Sequence, residues 1–159
     1  MKLQVIAVGH RMPAWISAGF DDYARRMPRE MPLTLTELKP ETRATNAGVT
    51  AIQKIVETEA RRITEALPKN AFTIVLDETG KQVTTCALAA HMTQWRESGK
   101  DIAFVIGGAD GTPGTLKKSA GWLWPLSQLT LPHGLVRVVL AEQLYRAASI
   151  LGNHPYHRG

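Results

Sequence analysis

The hydrophobic and polar positions along this chain change period several times, and each period predicts a different kind of element. Compact apolar runs at 2–8, 71–77 and 101–108 are typical of strands, and the unbroken run at 101–108 is typical of a strand covered on both faces, as in parallel sheets. The alternating run 33–38 predicts an edge or half-exposed strand. A short run at 127–132 predicts the last strand.

Apolar residues spaced three to four positions apart predict four helices, at 15–27, 49–67, 84–99 and 135–151. A polar stretch at 39–48 predicts a mobile loop. Because the predicted strands and helices alternate along the chain, we expect an α/β fold with a mainly parallel sheet flanked by helices. No repeat or linker divides the sequence, which predicts a single domain over all 159 residues.

The amino-acid composition favours some classes of binding partner over others. The 19 lysines and arginines exceed the 14 aspartates and glutamates, and the net charge of +5 favours a polyanion such as RNA or DNA. No apolar run approaches the roughly 20 residues of a membrane span, and the start lacks a signal peptide, so we expect a cytoplasmic protein that enters no membrane. The single cysteine, Cys86, excludes an internal disulfide and is expected to be a small core residue at the start of a helix.

Candidate chemistry collects at the ends of predicted strands, where open α/β sheets bind ligands. Asp77 and Glu78 follow one strand, IGGADG at 106–111 follows the next, and LPHG at 131–134 follows the last. The glycine segment has neither the dinucleotide fingerprint nor the phosphate-binding loop of nucleotide enzymes. It is therefore either an ordinary turn or a site for a cofactor held through its base and amino-acid parts.

The last predicted helix carries one narrow polar stripe, formed by Glu142, Arg146, Ser149 and Asn153. Most of its remaining circumference is apolar, which predicts a contact beyond one sheet face. That contact is either a homodimer interface or the protein's own core. Glu142 and Arg146 are either a simple pair one turn apart or the support of a catalytic pocket.

The chain ends in NHPYHRG, with two histidines, a tyrosine and an arginine in seven residues. Histidine titrates near neutral pH and arginine pairs with phosphate, so these residue types favour a tail that handles protons or binds phosphate. The spacing of His154 and His157 is conceivable for a metal, but no carboxylate or cysteine completes the motif, and we expect no metal. A plain solvated tail is the remaining alternative.

Four segments together resemble the RlmH family, the smallest SPOUT methyltransferases, over residues 1–159: MKLQVIAVGHRMPAW, VIGGADG, LTLPHGLVRVVLAEQLYRA and NHPYHRG. The resemblance implies a deep trefoil knot near the C-terminus, a homodimer, and S-adenosylmethionine bound in a bent form. It also implies methylation of N3 of a pseudouridine in 23S ribosomal RNA, on assembled ribosomes. Gly134 departs from the family, in which many members have a bulkier residue or proline.

The resemblance also implies which residues form the site. The cofactor side is expected to comprise Leu76, Gly107, Gly108, Ser127, Gln128, Leu129, Thr130, Leu131 and Pro132, with Ile106 alongside. The catalytic and substrate side is expected to comprise His133, Arg137, Glu142, Arg146, His154, Tyr156, His157 and Arg158.

Several alternatives stay open at this point. The base that takes the N3 proton is one of the tail residues or His133, and the tail acts either in its own subunit or across a dimer. Two other functions fit the charge and the fold. One is a SPOUT methyltransferase of another RNA, such as tRNA, and the other is a ribosome-binding factor without catalysis.

Overall fold

The sheet is five-stranded and entirely parallel. The computed structural model describes residues 1–158, with side chains described as far as His157. Its strands are β1 (Leu3–Val8), β2 (Leu33–Leu38), β3 (Phe72–Val75), β4 (Ile102–Ile106) and β5 (Trp122–Leu123). They lie in the order β2-β1-β4-β3-β5, and every neighbouring pair is parallel. The prediction of a mainly parallel α/β sheet is confirmed.

Helices cover both faces of the sheet. They are α1 (Ala14–Arg26), α2 (Val49–Ala66), α3 (Thr85–Glu97), α4 (Gly114–Ser119) and α5 (His133–Leu151), followed by a 3₁₀ turn at Pro155–Arg158. The larger apolar cluster joins α1, α3 and α5 to one face, and the smaller cluster joins α2 and α4 to the other. All four predicted helices are present, and none of the described helices is long and apolar enough to cross a membrane.

The last strand lies elsewhere than predicted. Residues 127–132 form a loop, and the fifth strand is the two-residue segment Trp122–Leu123, which pairs with β3. The Ser127 hydroxyl accepts a hydrogen bond from the Leu129 backbone N–H, a local turn that competes with strand pairing. Leu129 is 75% exposed, so its apolar side chain is not part of the core. The short helix α4 was not predicted either.

The expectation for Cys86 is wrong. Cys86 is exposed on the second residue of α3, while Leu88, Ala89 and Met92 of the same helix are buried. The helix start was predicted correctly, but the cysteine lies on its solvent side.

Helix α5 lies between α1 and α3. Its core-facing residues are Leu140, Ala141, Leu144, Ala147 and Ala148, all at most 3% exposed. Much of the apolar circumference is therefore covered within the chain, which matches the second of the two predicted contacts. The homodimer and the deep trefoil knot stay predictions.

Candidate active site

A cleft of about 530 Å³ opens where the carboxyl ends of β3 and β4 meet the segment that leads into α5. Apolar side chains and loop backbone both contribute to its walls. The lining residues are Leu76, Asp77, Glu78, Ile106, Gly107, Gly108, Asp110, Gly111, Thr112, Lys117, Trp124, Pro125, Leu126, 127–131 and Val136. Ligands of open parallel sheets bind in this position.

The turn after β4 has room only for glycine. A Cβ on Gly107 would lie 2.4 Å from the Thr112 Oγ1 and 3.1 Å from the Gly111 carbonyl oxygen. A Cβ on Gly108 would lie 2.4 Å from the Glu59 Oε2, and Gly111 has a φ of +82°. The segment folds back on itself through a hydrogen bond of 3.0 Å from the Gly111 N–H to the Gly108 carbonyl. Backbone is thereby presented to the cleft without side chains in front of it.

The opposite wall is the loop 127–131, and most of its backbone N–H groups have no hydrogen-bond partner among the described residues. Within the described part of the chain, the one hydrogen bond recorded from its N–H groups runs from Leu129 to the Ser127 hydroxyl, at 2.9 Å. The other N–H and C=O groups are open to solvent or to a ligand. Because backbone polar groups need partners when covered, this loop can read the polar edge of a heterocycle.

Two ion pairs lie at the polar end of the cleft. Lys117 contacts Asp77 at 2.5 Å, and Arg43 contacts Asp110 at 3.0 Å. Burial alone would raise the pKa of Asp77, but hydrogen bonds from Lys117 and Thr79 outweigh it and hold the pKa below its usual value. Asp77 is therefore charged at neutral pH, and the Arg43 pair joins the loop 39–48 to the glycine turn.

A second polar cluster begins at the end of β1 around Arg137, which is 0% exposed. Its guanidinium donates to the Glu37 carboxylate at 2.5 Å and to the Gly9 carbonyl at 2.9 Å. Gly9 has a φ of +134°, and a Cβ there would lie 3.0 Å from the Arg137 Nη2. The buried guanidinium and its partly exposed partner Glu37 therefore tie α5 to β1 and β2, and a glycine is required where Arg137 meets Gly9.

His133 lies at the first turn of α5, in contact with this cluster. Its Nε2 is 3.2 Å from the Arg137 Nη2, which has only protons to donate, so Nε2 is the acceptor. Burial, then the Arg137 charge, lowers the pKa of His133, against a smaller opposing effect of the Val8 carbonyl. The ring is therefore neutral at pH 7, with its Nε2 lone pair directed at the Arg137 guanidinium.

The tail turns back along α5. Asn153 adopts the left-handed conformation, with φ of +52°, which asparagine tolerates at helix ends. The His154 N–H then donates to the Ser149 carbonyl at 2.9 Å. These contacts hold the tail against its own helix.

Tyr156 lies in a cage of charged and aromatic side chains. Its hydroxyl is 3.2 Å from the Glu142 Oε1 and 3.5 Å from the Tyr23 hydroxyl. Its ring packs 4.7 Å from the Tyr145 ring, with the Arg146 guanidinium 4.8 Å above it. Burial, then these hydroxyl and carboxylate contacts, raises the pKa of Tyr156, so the phenol stays protonated. We call Tyr23, Glu142, Tyr145, Arg146 and Tyr156 the tail cage.

Arg146 and Glu142 form the charged side of the tail cage. Arg146 donates to Glu142 from Nε at 2.7 Å and from Nη2 at 2.6 Å. The hydrogen bond to Glu142 raises the pKa of the Arg146 guanidinium. The two therefore form the predicted pair one turn apart, and that pair also holds the tail.

The two tail histidines use their Nδ1 atoms differently: that of His154 accepts a hydrogen bond, and that of His157 donates one. His154 Nδ1 accepts from the Tyr156 N–H at 3.2 Å. His157 Nδ1 lies 2.5 Å from the His154 carbonyl and so is assigned as a donor, which leaves its Nε2 as the lone-pair nitrogen.

The predicted site residues fall into three places. Leu76, Gly107, Gly108 and 127–131 all line the one cleft, and Pro132 does not. Glu142, Arg146 and Tyr156 meet in the tail cage, with His154 and His157 alongside. His133 and Arg137 lie apart, at the end of β1. The predictions for the Arg158 side chain lie outside the described residues.

Several residues at these places were not predicted, among them Lys117, Tyr23, Tyr145 and Glu59. Lys117 lies on the unpredicted helix α4, and nothing in the sequence pairs it with Asp77. Glu59 had a signal, because it is four residues from both Ile55 and Ile63 on the buried stripe of α2. Among the described residues, no group of three or more His, Cys, Asp or Glu side chains could hold a metal ion.

Known proteins match along almost the whole chain. The family model described as "Predicted SPOUT methyltransferase" matches residues 1–157. A solved protein from Bacillus anthracis, provisionally described as an RNA methyltransferase, has a similar fold, with a TM-score of 0.53, 14% identity and coverage of 97% and 96% of the two chains. The sheet, the strand-end cleft and the family match define the class: the chain belongs to the SPOUT methyltransferase family.

Curated relatives narrow the class to one branch. The "Ribosomal RNA large subunit methyltransferase H" of Methylobacillus flagellatus is 52% identical over 158 residues, and that of Burkholderia mallei is 54% identical over 158 residues. Each match covers 99% of both chains. The branch is the RlmH family, and the resemblance predicted from the sequence is confirmed.

Proposed function

We propose that this protein transfers a methyl group from S-adenosylmethionine to N3 of a pseudouridine in large-subunit ribosomal RNA. The observation that carries the proposal is the match at 52% and 54% identity over 99% of relatives named for ribosomal RNA methylation. In our proposal the enzyme is a cytoplasmic homodimer and acts on assembled ribosomes. The net charge of +5 suits such a polyanionic substrate.

The cleft suits S-adenosylmethionine as the methyl donor. Its apolar side and the unused backbone of 127–131 fit an adenine, whose edge carries hydrogen-bonding nitrogens. The glycine turn admits a ligand at close range, because side chains there are excluded by Thr112 and Glu59. When bound, the donor supplies a methyl group on a cationic sulfur, which departs as a neutral thioether.

A base must accept the N3 proton, and the geometry favours His157. Tyr156 stays protonated because its pKa is raised, and the lone pair of the His133 Nε2 already accepts from buried Arg137. His157 alone among the three directs its Nδ1 at its own backbone and leaves Nε2 to accept a proton. Arg146 stays charged and is available to stabilise negative charge on the base ring.

The placement of the tail supports a site shared between two subunits. Val136, in the first turn of α5, lines the cleft, and Glu142 anchors Tyr156 six residues later, about 9 Å further along the helix axis. In our proposal the tail cage of one subunit faces the cleft of the other in the homodimer. The trefoil knot of the family would hold the two cofactor loops together.

The test is transfer of labelled methyl groups from S-adenosylmethionine to ribosomes that lack the native modification. Free ribosomal RNA and tRNA are assayed in parallel, and the labelled nucleotide is mapped. We expect label on ribosomes alone, at N3 of a pseudouridine. Label on tRNA would move the function to another RNA. Tight ribosome binding without label on any RNA would make the protein a non-catalytic ribosome-binding factor.

A further inference from the structure

Within the described part of the chain, the buried carboxylate of Glu59 has no positive partner. It lies on α2 behind the glycine turn, and only 5% of the residue is exposed. Its Oε1 accepts one hydrogen bond, of 2.9 Å, from the Glu41 backbone N–H. Its Oε2 faces Gly108, and within the described part of the chain no hydrogen bond or ion pair to that oxygen is recorded.

Two other carboxylates at the cleft have a positive partner, whereas Glu78, which also lines it, is exposed to solvent. Asp77 is paired with Lys117, and Asp110 is paired with Arg43. Arg62, one turn along from Glu59, binds Glu41 instead, at 2.6 Å. Burying a carboxylate without a counter-charge is costly, so its presence beside a ligand turn indicates that a positive group arrives there with the ligand.

We propose that Glu59 is a specificity-determining residue that selects the cationic methyl donor over its neutral product. The inference rests on the proposed function, because it takes S-adenosylmethionine as the ligand of the cleft. Gly108 lines the cleft, and its missing Cβ lets the Glu59 carboxylate lie directly against its backbone. In this low-dielectric position a carboxylate acts on a nearby cation more strongly than a surface charge would.

The charge of the ligand changes during the reaction. The sulfur–methyl bond breaks with its electron pair left on sulfur, while the N3 lone pair forms the new bond to carbon and the N3 proton goes to the base. The sulfonium thereby becomes a neutral thioether, and the attraction to Glu59 is lost. Glu59 thus favours entry of the donor and exit of S-adenosylhomocysteine.

The experiment compares Glu59→Gln with wild type by titration calorimetry and thermal melting. The amide keeps the shape and the acceptor for the Glu41 N–H. Glu57→Gln is the matched control, since Glu57 is exposed on the same helix. The ligands are S-adenosylmethionine, S-adenosylhomocysteine and sinefungin, in which a protonated amine replaces the sulfonium.

We expect Glu59→Gln to weaken both cationic ligands about tenfold, leave S-adenosylhomocysteine unchanged, and raise the melting temperature of the free protein, because an uncompensated buried charge is removed. Three outcomes would overturn the proposal. An equal loss of affinity for all three ligands, or a variant that fails to fold, would mean that the carboxylate has a purely structural role. No loss of affinity for any ligand would mean that it has no role in binding. Wild-type protein that binds neither nucleoside would instead refute the proposed function itself.

Discussion

The strand-end cleft and the tail cage are built in opposite ways. The loop 127–131 leaves most of its backbone unpaired, and the glycine turn leaves a space without side chains. In the tail cage, Glu142 alone contacts Arg146, Gln143 and Tyr156, and every ring has a packing partner. An open site changes when its ligand binds, whereas a closed cluster holds a geometry in advance. Substitutions in the cleft should therefore weaken cofactor binding, whereas substitutions in the tail cage should lower the rate of methyl transfer.

Removing residues 156–159 is the strongest way to separate the two regions. We expect cofactor affinity to be nearly unchanged, because neither Tyr156 nor His157 lines the cleft. Methyl transfer should fall by ~10²–10⁴, the usual worth of a general base, or become undetectable. Single-turnover assays with saturating cofactor measure this. Full activity of the truncated enzyme would remove the tail from the mechanism.

Gly107→Ala should have the opposite effect: it should weaken cofactor binding and leave the tail cage unchanged. Its Cβ would meet Thr112 and the Gly111 carbonyl, and overpacking of this kind costs ~1–3 kcal/mol, which corresponds to about 5- to 150-fold in cofactor affinity. Gly114→Ala is the control, because a Cβ there has nothing within 4 Å. Calorimetry should show a loss for the first variant alone. Equal affinities would mean that the turn is not part of the cofactor site.

Tyr156→Phe tests the tail cage more gently. The ring stays on Tyr145 and Arg146, and only the hydroxyl contacts with Glu142 and Tyr23 are lost. A hydrogen bond of this kind is worth ~0.5–1.5 kcal/mol, so we expect the rate to fall by about 3–10-fold at constant cofactor affinity. In Tyr145→Phe, which removes a hydroxyl with no recorded partner among residues 1–157, the rate should stay at the wild-type value. A change in affinity instead would place Tyr156 in the cleft.

The smallest effect is expected from His133. Its pKa is lowered in the folded protein, and its ordinary value in the unfolded chain is about 6.5. Between these two values the unfolded state binds more protons, so the contribution is present above pH 6.5 and is lost as the pH falls below it. Urea unfolding from pH 8 to 5 should show a steeper loss of the free energy of unfolding in wild type than in His133→Gln. Parallel curves would contradict the buried, neutral ring.

The sequence predicted most of the fold because buried parallel strands and amphipathic helices have distinct periods. It failed at Trp122–Leu123, because a two-residue strand is too short to show any period. It also placed a strand at 127–132, where Pro132 and the Ser127 turn favour a loop. An apolar pattern usually indicates burial. The loop 127–131 has the same pattern although Leu129 is exposed, and its sequence therefore resembles that of a strand.

The site was predicted less completely than the fold, for a different reason. Glycines and the tail stood out by residue type, so the sequence named loops that line the cleft and Tyr156 of the tail cage, whose roles stay predictions. Lys117 depends on a pairing with Asp77 across 40 positions, which no local pattern reports. Arg137 was placed at the substrate, whereas its guanidinium is bound to Glu37 and the Gly9 carbonyl. A charged residue in a helix does not reveal from sequence whether it serves the ligand or the core.

The tie between Arg137 and Gly9 joins residues 128 positions apart. Helix α5 is the last helix to be synthesised, yet it fills the space between α1 and α3 that completes the larger apolar cluster. Contacts between distant parts of a chain form late and slow folding, because a long loop must be closed first. During synthesis the protein therefore remains an open sheet with an uncovered face until α5 emerges. The larger apolar cluster and the strand-end cleft are then completed in the same event, and a chain that stops before α5 completes neither.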